Sequence, residues 1–540
     1  MSSEFQQPQD SHNIKRFIPL LAILMVGLFL AILNQTLLNV AIPHLITEFG
    51  VSANTAQWLL TGYMLVNGAL IPLSPFLIER FAVRRLFLFA MFCFTLGSLI
   101  CGISTGFPIM LVGRLIQAVG GGVLAPLVMT IIIFIFPPEI RGKGMGIFGL
   151  AMMFAPAVGP TLSGFVVQNY DWHLLFTGMV PLGFVVLILA FFSLKDIQPP
   201  KKVTVDGPSV FTSLAGMSLL LYGFSEAGND GWDDAVVLST MIAGAVLLMI
   251  FTIRQLRIEK PLLDMRIFNY GIFSLASVIN VVLTISLFSG MFLLPIYLQT
   301  IRGYSPLDSG LLLLPGALIM LVMSPVSGTL FDKLGPRPLA IFGMAITTVT
   351  TYFFTRLTMD TPYTFIVILY MFRMFGMSFL MMPIMTAGLN QLPKHLSSHG
   401  TSMSNTLRQV SGSIGISLIT TIFTNRTTFH MNEMEGSMNT ADPFFMASFH
   451  EFVQKVAVTL HLPVSQAQHQ AVTILFGKAS QQSSINGIND AFIIATVISA
   501  IGLVLSLFLR DVRKDKVREA AAPVPQKDEI LLLPAPKNVS

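Results

Sequence analysis

The sequence predicts an all-α integral membrane protein built from two related six-helix bundles with a pair of helices inserted between them. Three observations carry that reading. Of 540 residues, 53% are hydrophobic and only 11% charged, with a mean hydropathy of +0.74, whereas a soluble domain carries about 25% charged residues. Apolar runs of membrane-spanning length, such as Phe17 to Val40, recur along the chain with charges confined to the gaps. Two of those gaps hold versions of one punctuated motif, each followed at similar spacing by an arginine within an apolar run. The clear copy is Gly328, Asp332, Lys333, Gly335 and Arg337, ahead of Arg373; the weaker is Pro75, Glu79, Arg80, Arg84 and Arg85, ahead of Arg114.

Reading apolar runs of about 20 residues as spans places helices at 17–42, 54–78, 85–104, 107–133, 144–168, 174–194 and 208–226. Seven more follow at 235–253, 272–297, 309–331, 338–356, 362–388, 401–425 and 489–510. With the N-terminus inside, most bases fall in alternate, cytoplasmic gaps: Arg80, Arg84 and Arg85; Arg141 and Lys143; Lys195, Lys201 and Lys202; Arg254, Arg257, Lys260 and Arg266; Lys333 and Arg337; Lys394. The other gaps hold only Arg302, Arg356, Arg426, Lys455 and Lys478. This is the bias of the positive-inside rule, so both termini are expected in the cytoplasm of a multi-pass plasma-membrane protein.

The paired motifs follow the second and tenth helices. Residues 1–16 are therefore a cytoplasmic N-terminus, 17–200 a first six-helix bundle, 201–260 an inserted hairpin, 261–510 a second bundle and 511–540 a cytoplasmic tail. The hairpin carries few polar groups and reads as a lipid-facing or scaffold element. Within the second bundle, 426–488 is expected as a long external loop in which Phe445, Phe449, Phe452, Val453 and Val456 share helical spacing, an amphipathic helix on the membrane surface or on the protein. The tail, basic and then rich in Ala and Pro, reads as disordered. The first apolar run outlasts a signal h-region and lacks a small-residue cleavage site, so it is expected to stay as the first span. Cys93 and Cys101, roughly 12 Å apart along one helix, are too far apart for a disulfide.

Several function classes drop out. The net charge of +5 is spread over loops instead of one basic domain, which argues against a nucleic-acid partner. No G-x-x-x-x-G-K-[ST] loop is present for an ATP-driven pump, and no nucleophile–base or metal-ligand set suggests an enzyme or a metal site.

The motifs have physical reasons. Gly328 and Gly335 permit close helix approach and a tight turn, and Asp332 can cap a helix or pair with a base, a charged latch between the halves. A plain positive-inside loop needs none of this. Arg114, Gln117 and the glycines 120–122 share one helix; a buried cation is costly, so Arg114 is expected to face the interior with a polar partner. Pro156, Gly159, Pro160 and Gly164 give a bent, closely packed seam.

Together these elements resemble the major facilitator superfamily, in particular its fourteen-helix drug:proton antiporters, over nearly the whole chain. The loop at 328–337, the R-x-x-Q-x-x-G-G-G at Arg114 and the G-P-x-x-S-G at Gly159 carry the resemblance, supported by Gln57-Trp58, Tyr63, the segment Leu294 to Gln299, and Asn405 with Arg408 and Gln409. The resemblance implies export of drugs or other amphipathic small molecules, lincosamide-like compounds among them, in exchange for protons by alternating access. The proton gradient would be the energy source and no cofactor is needed. It links Arg114 and Gln117, with Glu79, Arg80, Gly328, Asp332, Gly335 and Arg337, to coupling and gating. A metabolite exporter or an uptake permease is the alternative within transport, and the Gly159-Pro160 motif argues against uptake; a non-transporting receptor would need no matched motifs. A monomer is compatible with every element.

The chain departs from the family pattern at three places. Asn34 stands where the family usually has an aspartate; Pro75, Glu79 and Ala82 stand where it tends to have glycine, aspartate and glycine; Trp172-His173 replaces Trp-Arg. Lacking the acid at position 34, the protein is expected to favour neutral or weakly basic substrates over dications. Remaining carboxylates near the spans are Glu226, Asp308 and Asp490. Asn34, Gln35, Asn39, Asn67, Tyr297, Gln299, Asn405, Arg408 and Gln409 are the cavity candidates. The 44 Phe and 30 Met residues could supply deformable apolar walls.

Overall fold

In the computed structural model every regular element among the described residues is helical, and those residues are 17–510 apart from 52, 139, 195–205, 228–230, 260 and 438–442. The expectations for 1–16, for the tail 511–540, for Lys195, Lys201, Lys202 and Lys260, and for the side chain of Asn39 fall outside them. The first half comprises α1 (Ile18–Phe49), α2 (Trp58–Phe81), α3 (Val83–Gly102), α4 (Phe107–Ile135), α5 (Arg141–Asn169) and α6 (Leu174–Ser193). A hairpin of α7 (Gly207–Ala227) and α8 (Ala235–Arg257) follows. The second half holds α9 (Gly271–Ile301), α10 (Leu307–Leu334), α11 (Pro336–Arg356), α12 (Tyr363–Gln391), α13 (Ser397–Ser437), α14 (Pro443–Leu460) and α15 (Val464–Ser506).

All but α13 and α14 are long and apolar enough to cross a membrane. Ser, Thr, Asn and Arg dilute the hydropathy of α13, yet it packs against α9, α15 and α4 inside the bundle, giving fourteen membrane helices. Proline explains two irregular ends. Pro383 cannot donate a backbone hydrogen bond, and α12 breaks at Phe379 and Leu380; Pro295 precedes the widened last turn of α9 at Tyr297–Ile301.

The halves repeat one packing scheme. α1 packs on α5 and α6, α3 on α4 and α6, and α2 on α4; correspondingly, α9 packs on α13 and α15, α11 on α12 and α15, and α10 on α12. The inter-half seams pair up too, α5 with α10 and α13 with the end of α2.

The hairpin splits into two roles. α8 is the least buried membrane helix, with Ile242, Val246 and Met249 outward. α7 instead fills the crevice beside α2 and α13: Met217 and Leu221 pack on Leu65, Ala69 and Val410, Tyr222 stacks on Trp58, and Ser225 meets Thr61 at 3.4 Å. At its base Asp206 takes a bidentate bond from Arg254 (2.7 and 2.8 Å), which holds the Asp206 carboxyl down to about 2.

The described residues of segment 426–488 are mostly helical instead of a loop. α13 continues to Ser437 and α15 already begins at Val464, and the two extensions are tied where Arg426 (2.5 Å) and His430 (2.9 Å) both reach Asp490. The amphipathic helix expected there is α14. Its Phe449, Phe452, Val453 and Val456 pack on Ala467, Ala471 and Ile474 of α15, so its apolar face is covered by protein.

Candidate functional site

A cavity of about 330 Å³ lies between the halves, walled by α1, α2, α4 and α5 on one side and α9, α10, α12 and α13 on the other. Of the expected polar candidates it collects Gln35, Asn67, Asn405, Arg408 and Gln409, and Pro156 of α5 also lines it. Asn405, Arg408, Gln409 and Gly412 form one helical face of α13, as their three- and four-residue spacing requires. Gly412 admits the Phe288 ring. Methionines 64, 152, 291, 320, 374 and 381 and Phe292 make the walls apolar and deformable.

Three candidates lie elsewhere. Tyr297 is wholly buried at the far end of α9, where its hydroxyl donates to the Thr358 carbonyl at 2.6 Å, and Gln299 is exposed on the last turn. Asn34 sits behind the wall, because the step of one residue from Gln35 turns a helical side chain by about 100°.

That position makes Asn34 the partner of Arg114. The guanidinium is fully buried and donates through Nη1 to Asn34 Oδ1 (2.7 Å) and Gln117 Oε1 (3.0 Å), and through Nε to the Leu59 carbonyl (3.3 Å). Gln117 is oriented by donating to Ser98 at 2.8 Å. The Tyr63 ring, 4.5 Å from the guanidinium carbon, stands between Arg114 and the cavity it lines. Among the described residues, only dipoles and π-faces thus compensate this cation. Arg373 of α12 is its counterpart, equally buried, bonded to the Ser286 carbonyl, Ser289 and Thr351 (3.3 Å), with Gly290 leaving room for it.

Polar bonds between the halves cluster toward the face that carries the turns at 82 and 335, here termed the basic face. Asp332 accepts from the backbone N–H groups of Gly142 (3.0 Å) and Lys143 (3.1 Å), capping α5 from the opposite half. The approach is close enough that a β-carbon on Gly328 would meet the Gly142 carbonyl, and one on Gly142 would meet Asp332. Further bonds run from Ser324 to the Gly146 carbonyl (2.8 Å), between Thr130 and Thr401 (2.7 Å), and from Ser402 to the Ile71 carbonyl (2.5 Å). Sequence reading missed Arg141, taken only as a topology signal. It is buried and donates to Asn390 Oδ1 at 2.6 Å across the same interface; no sequence pattern announces that partner.

Gly335 opens α11 at φ +85°, and Ala82 holds the equivalent turn before α3 at φ +60°. Glu79 is half-buried and Arg80 exposed, each with interaction partners, while Arg337 is exposed. On α5, Gly159 brings the helix against Thr36 of α1, and Gly164 is buried beside half-buried Pro160.

Of the remaining carboxylates, Asp308 caps α10 in a box with Ser305, and Asp490 is held by Arg426 and His430. None of these, nor Glu226, lines the cavity.

The chain matches the Major Facilitator Superfamily over residues 24–416. It belongs to that superfamily. Among its relatives, the uncharacterised MFS-type transporter YhcA of Bacillus subtilis (strain 168) is 61% identical, covering 97% of this chain and 98% of that one. The lincomycin resistance protein LmrB of Listeria monocytogenes serovar 1/2a is 36% identical over 94% and 99% of the respective chains. The human organic anion transporter MFSD10 (TETRAN) shares the fold, with a TM-score of 0.60 at 13% identity, covering 93% of this chain and all of the other. The chain is thus a multi-pass membrane transporter of the major facilitator type, matching the family expectation.

Proposed function

We propose that this protein is a secondary active exporter of amphipathic small molecules across the plasma membrane, exchanging them for protons by alternating access. The observation that carries the reading is the central cavity, apolar-walled and amide-dotted, closed toward one face by bonds that join the two halves. Rocking the halves would exchange that closed face for the other. The charge bias of its loops supports the basic face as the cytoplasmic one, with both termini inside. Relatives named for lincomycin and multidrug resistance support drugs as the substrate class.

Arg114 is a positioning residue in this account. Sealed behind Tyr63, it can act on the cavity by holding Tyr63 and Asn34, and a change in its surroundings during rocking would shift the charge balance of the first half. The test is efflux from proteoliposomes under an imposed pH gradient, with a protonophore control. Gradient-dependent movement of amphipaths that Arg114→Ala abolishes, with protein abundance and folding unchanged, is the expected result. Movement independent of the gradient would exclude proton exchange.

A further inference from the structure

Arg408 is the one side chain ordinarily charged at neutral pH among the residues that line the cavity. It lies half-buried in the cavity wall, and its Nη2 donates to Asn405 Oδ1 at 3.3 Å. Its Nε and Nη1 bond to no described residue, and no described carboxylate pairs with it. Arg114 and Arg373, the fully buried arginines of the bundle, also lack a carboxylate partner among the described residues. The potential inside the cavity is therefore positive, and its low-dielectric walls strengthen it. A guanidinium at membrane depth is costly unless a counter-charge reaches it.

We infer that Arg408 is the anchor for the anionic head of an amphipathic substrate, a carboxylate or sulfonate on an apolar body, which seats among Phe288, Phe292 and the methionines. Gln409, next to Arg408 on α13, and Asn67, on α2 across the cavity, add two amides to the lining. A guanidinium fork suits a two-oxygen anion, and a cation would meet only repulsion there. This inference rests on the exporter reading and specifies its substrate; it replaces the expected preference for neutral or weakly basic compounds. The same chemistry is offered by a free organic acid and by the headgroup of an anionic lipid.

The test uses the full chain in phosphatidylcholine vesicles and two fluorescent probes with one body: anilinonaphthalene sulfonate and its uncharged parent phenylnaphthylamine, each corrected for protein-free vesicles. Arg408→Gln is expected to weaken sulfonate binding about ten-fold or more while phenylnaphthylamine stays within about two-fold. Unchanged sulfonate affinity, or equal weakening of both probes in folded protein, overturns the proposal. Should Arg408→Gln fail to fold, Arg408→Lys decides, since it keeps the charge and removes the fork: weaker sulfonate binding with phenylnaphthylamine unchanged supports the site, and unchanged sulfonate affinity refutes it. Competition by added phosphatidylglycerol that depends on Arg408 assigns the anion to lipid; its absence assigns the anion to free organic acids, and either supports the site. Binding is read without a gradient. Sulfonate binding with no transport of any probe would therefore sink the exporter reading alone, and export of the neutral probe without sulfonate preference would sink this inference alone.

Discussion

The two seams between the halves occupy equivalent places in the repeat, yet they are built differently. Along α5 and α10 the helices touch directly. Gly142 lies on Gly328, Gly146 on Ser324, and Gly310 approaches Thr161 toward the other face, so small residues admit backbone-to-backbone contact through most of the membrane's depth. In the seam of α2 with α13, Ser402 bonds the Ile71 carbonyl and Gly68 lies against Gln409 and against Leu221 of α7; farther along, α7 lies beside both helices and Trp232 donates to Thr421 at 2.6 Å. On the proposed rocking, the first seam could part at the basic face only by breaking the backbone contacts of Gly142 with Gly328 and Asp332, whereas the second could slide over the side chains of α7. The same divergence marks the duplicated turns. Gly335 and Ala82 share a backbone conformation that only glycine adopts without strain.

The largest effect should come from filling the tight seam. Gly142→Leu would drive its side chain into Asp332, Phe331 and the Gly328 carbonyl, and transport should fall about ten-fold or more with the protein still inserted. Leu221→Ala in α7 should cost far less transport; equal losses would erase the distinction between the seams. Next is Asp332→Asn, which removes the charge from the α5 cap and should shift the equilibrium toward opening at the basic face by about 1 to 2 kcal/mol, roughly ten-fold. Accessibility labelling at residue 401 reads this directly.

A smaller effect separates the two buried arginines. Asn34→Asp would give Arg114 an ion pair that Arg373 lacks, and should change the pH dependence of transport. It should not recruit cationic dyes, since position 34 lies behind the cavity wall; new dye export would contradict that placement. Smallest is the turn strain. Ala82→Gly should stabilise by about 1 kcal/mol and Gly335→Ala should destabilise by at least as much, seen as opposite shifts in melting temperature.

What the sequence made legible follows from these physics. Apolar runs report burial in lipid, so the helix order and the repeat could be read from hydropathy and from the loop motif. Segment 426–488 was misread because helices that leave the bilayer lose that signal while keeping hydrogen bonds and packing, as Arg426 with Asp490 and Val453 with α15 illustrate. Of the polar residues picked out in the sequence, Asn405, Arg408 and Gln409 come to one face of α13 at the cavity, whereas Asn34, Tyr297 and Gln299 lie elsewhere, because polarity alone does not tell which side of a fully apolar helix faces the cavity. Inter-half bonds such as Arg141 to Asn390 depend on the docking of distant helices and leave no local pattern.

The central claim is that the halves must part at the basic face for each transport cycle. Thr130 and Thr401, whose hydroxyls meet at 2.7 Å across that interface, are the pair to convert to cysteine for an oxidative cross-link, with Cys93 and Cys101 replaced by serine. The direct measurement is proton-driven efflux from proteoliposomes of this variant before oxidation, after it, and after reduction. The account predicts that cross-linking stops transport and that reduction restores it. Undiminished turnover in fully cross-linked protein would contradict it.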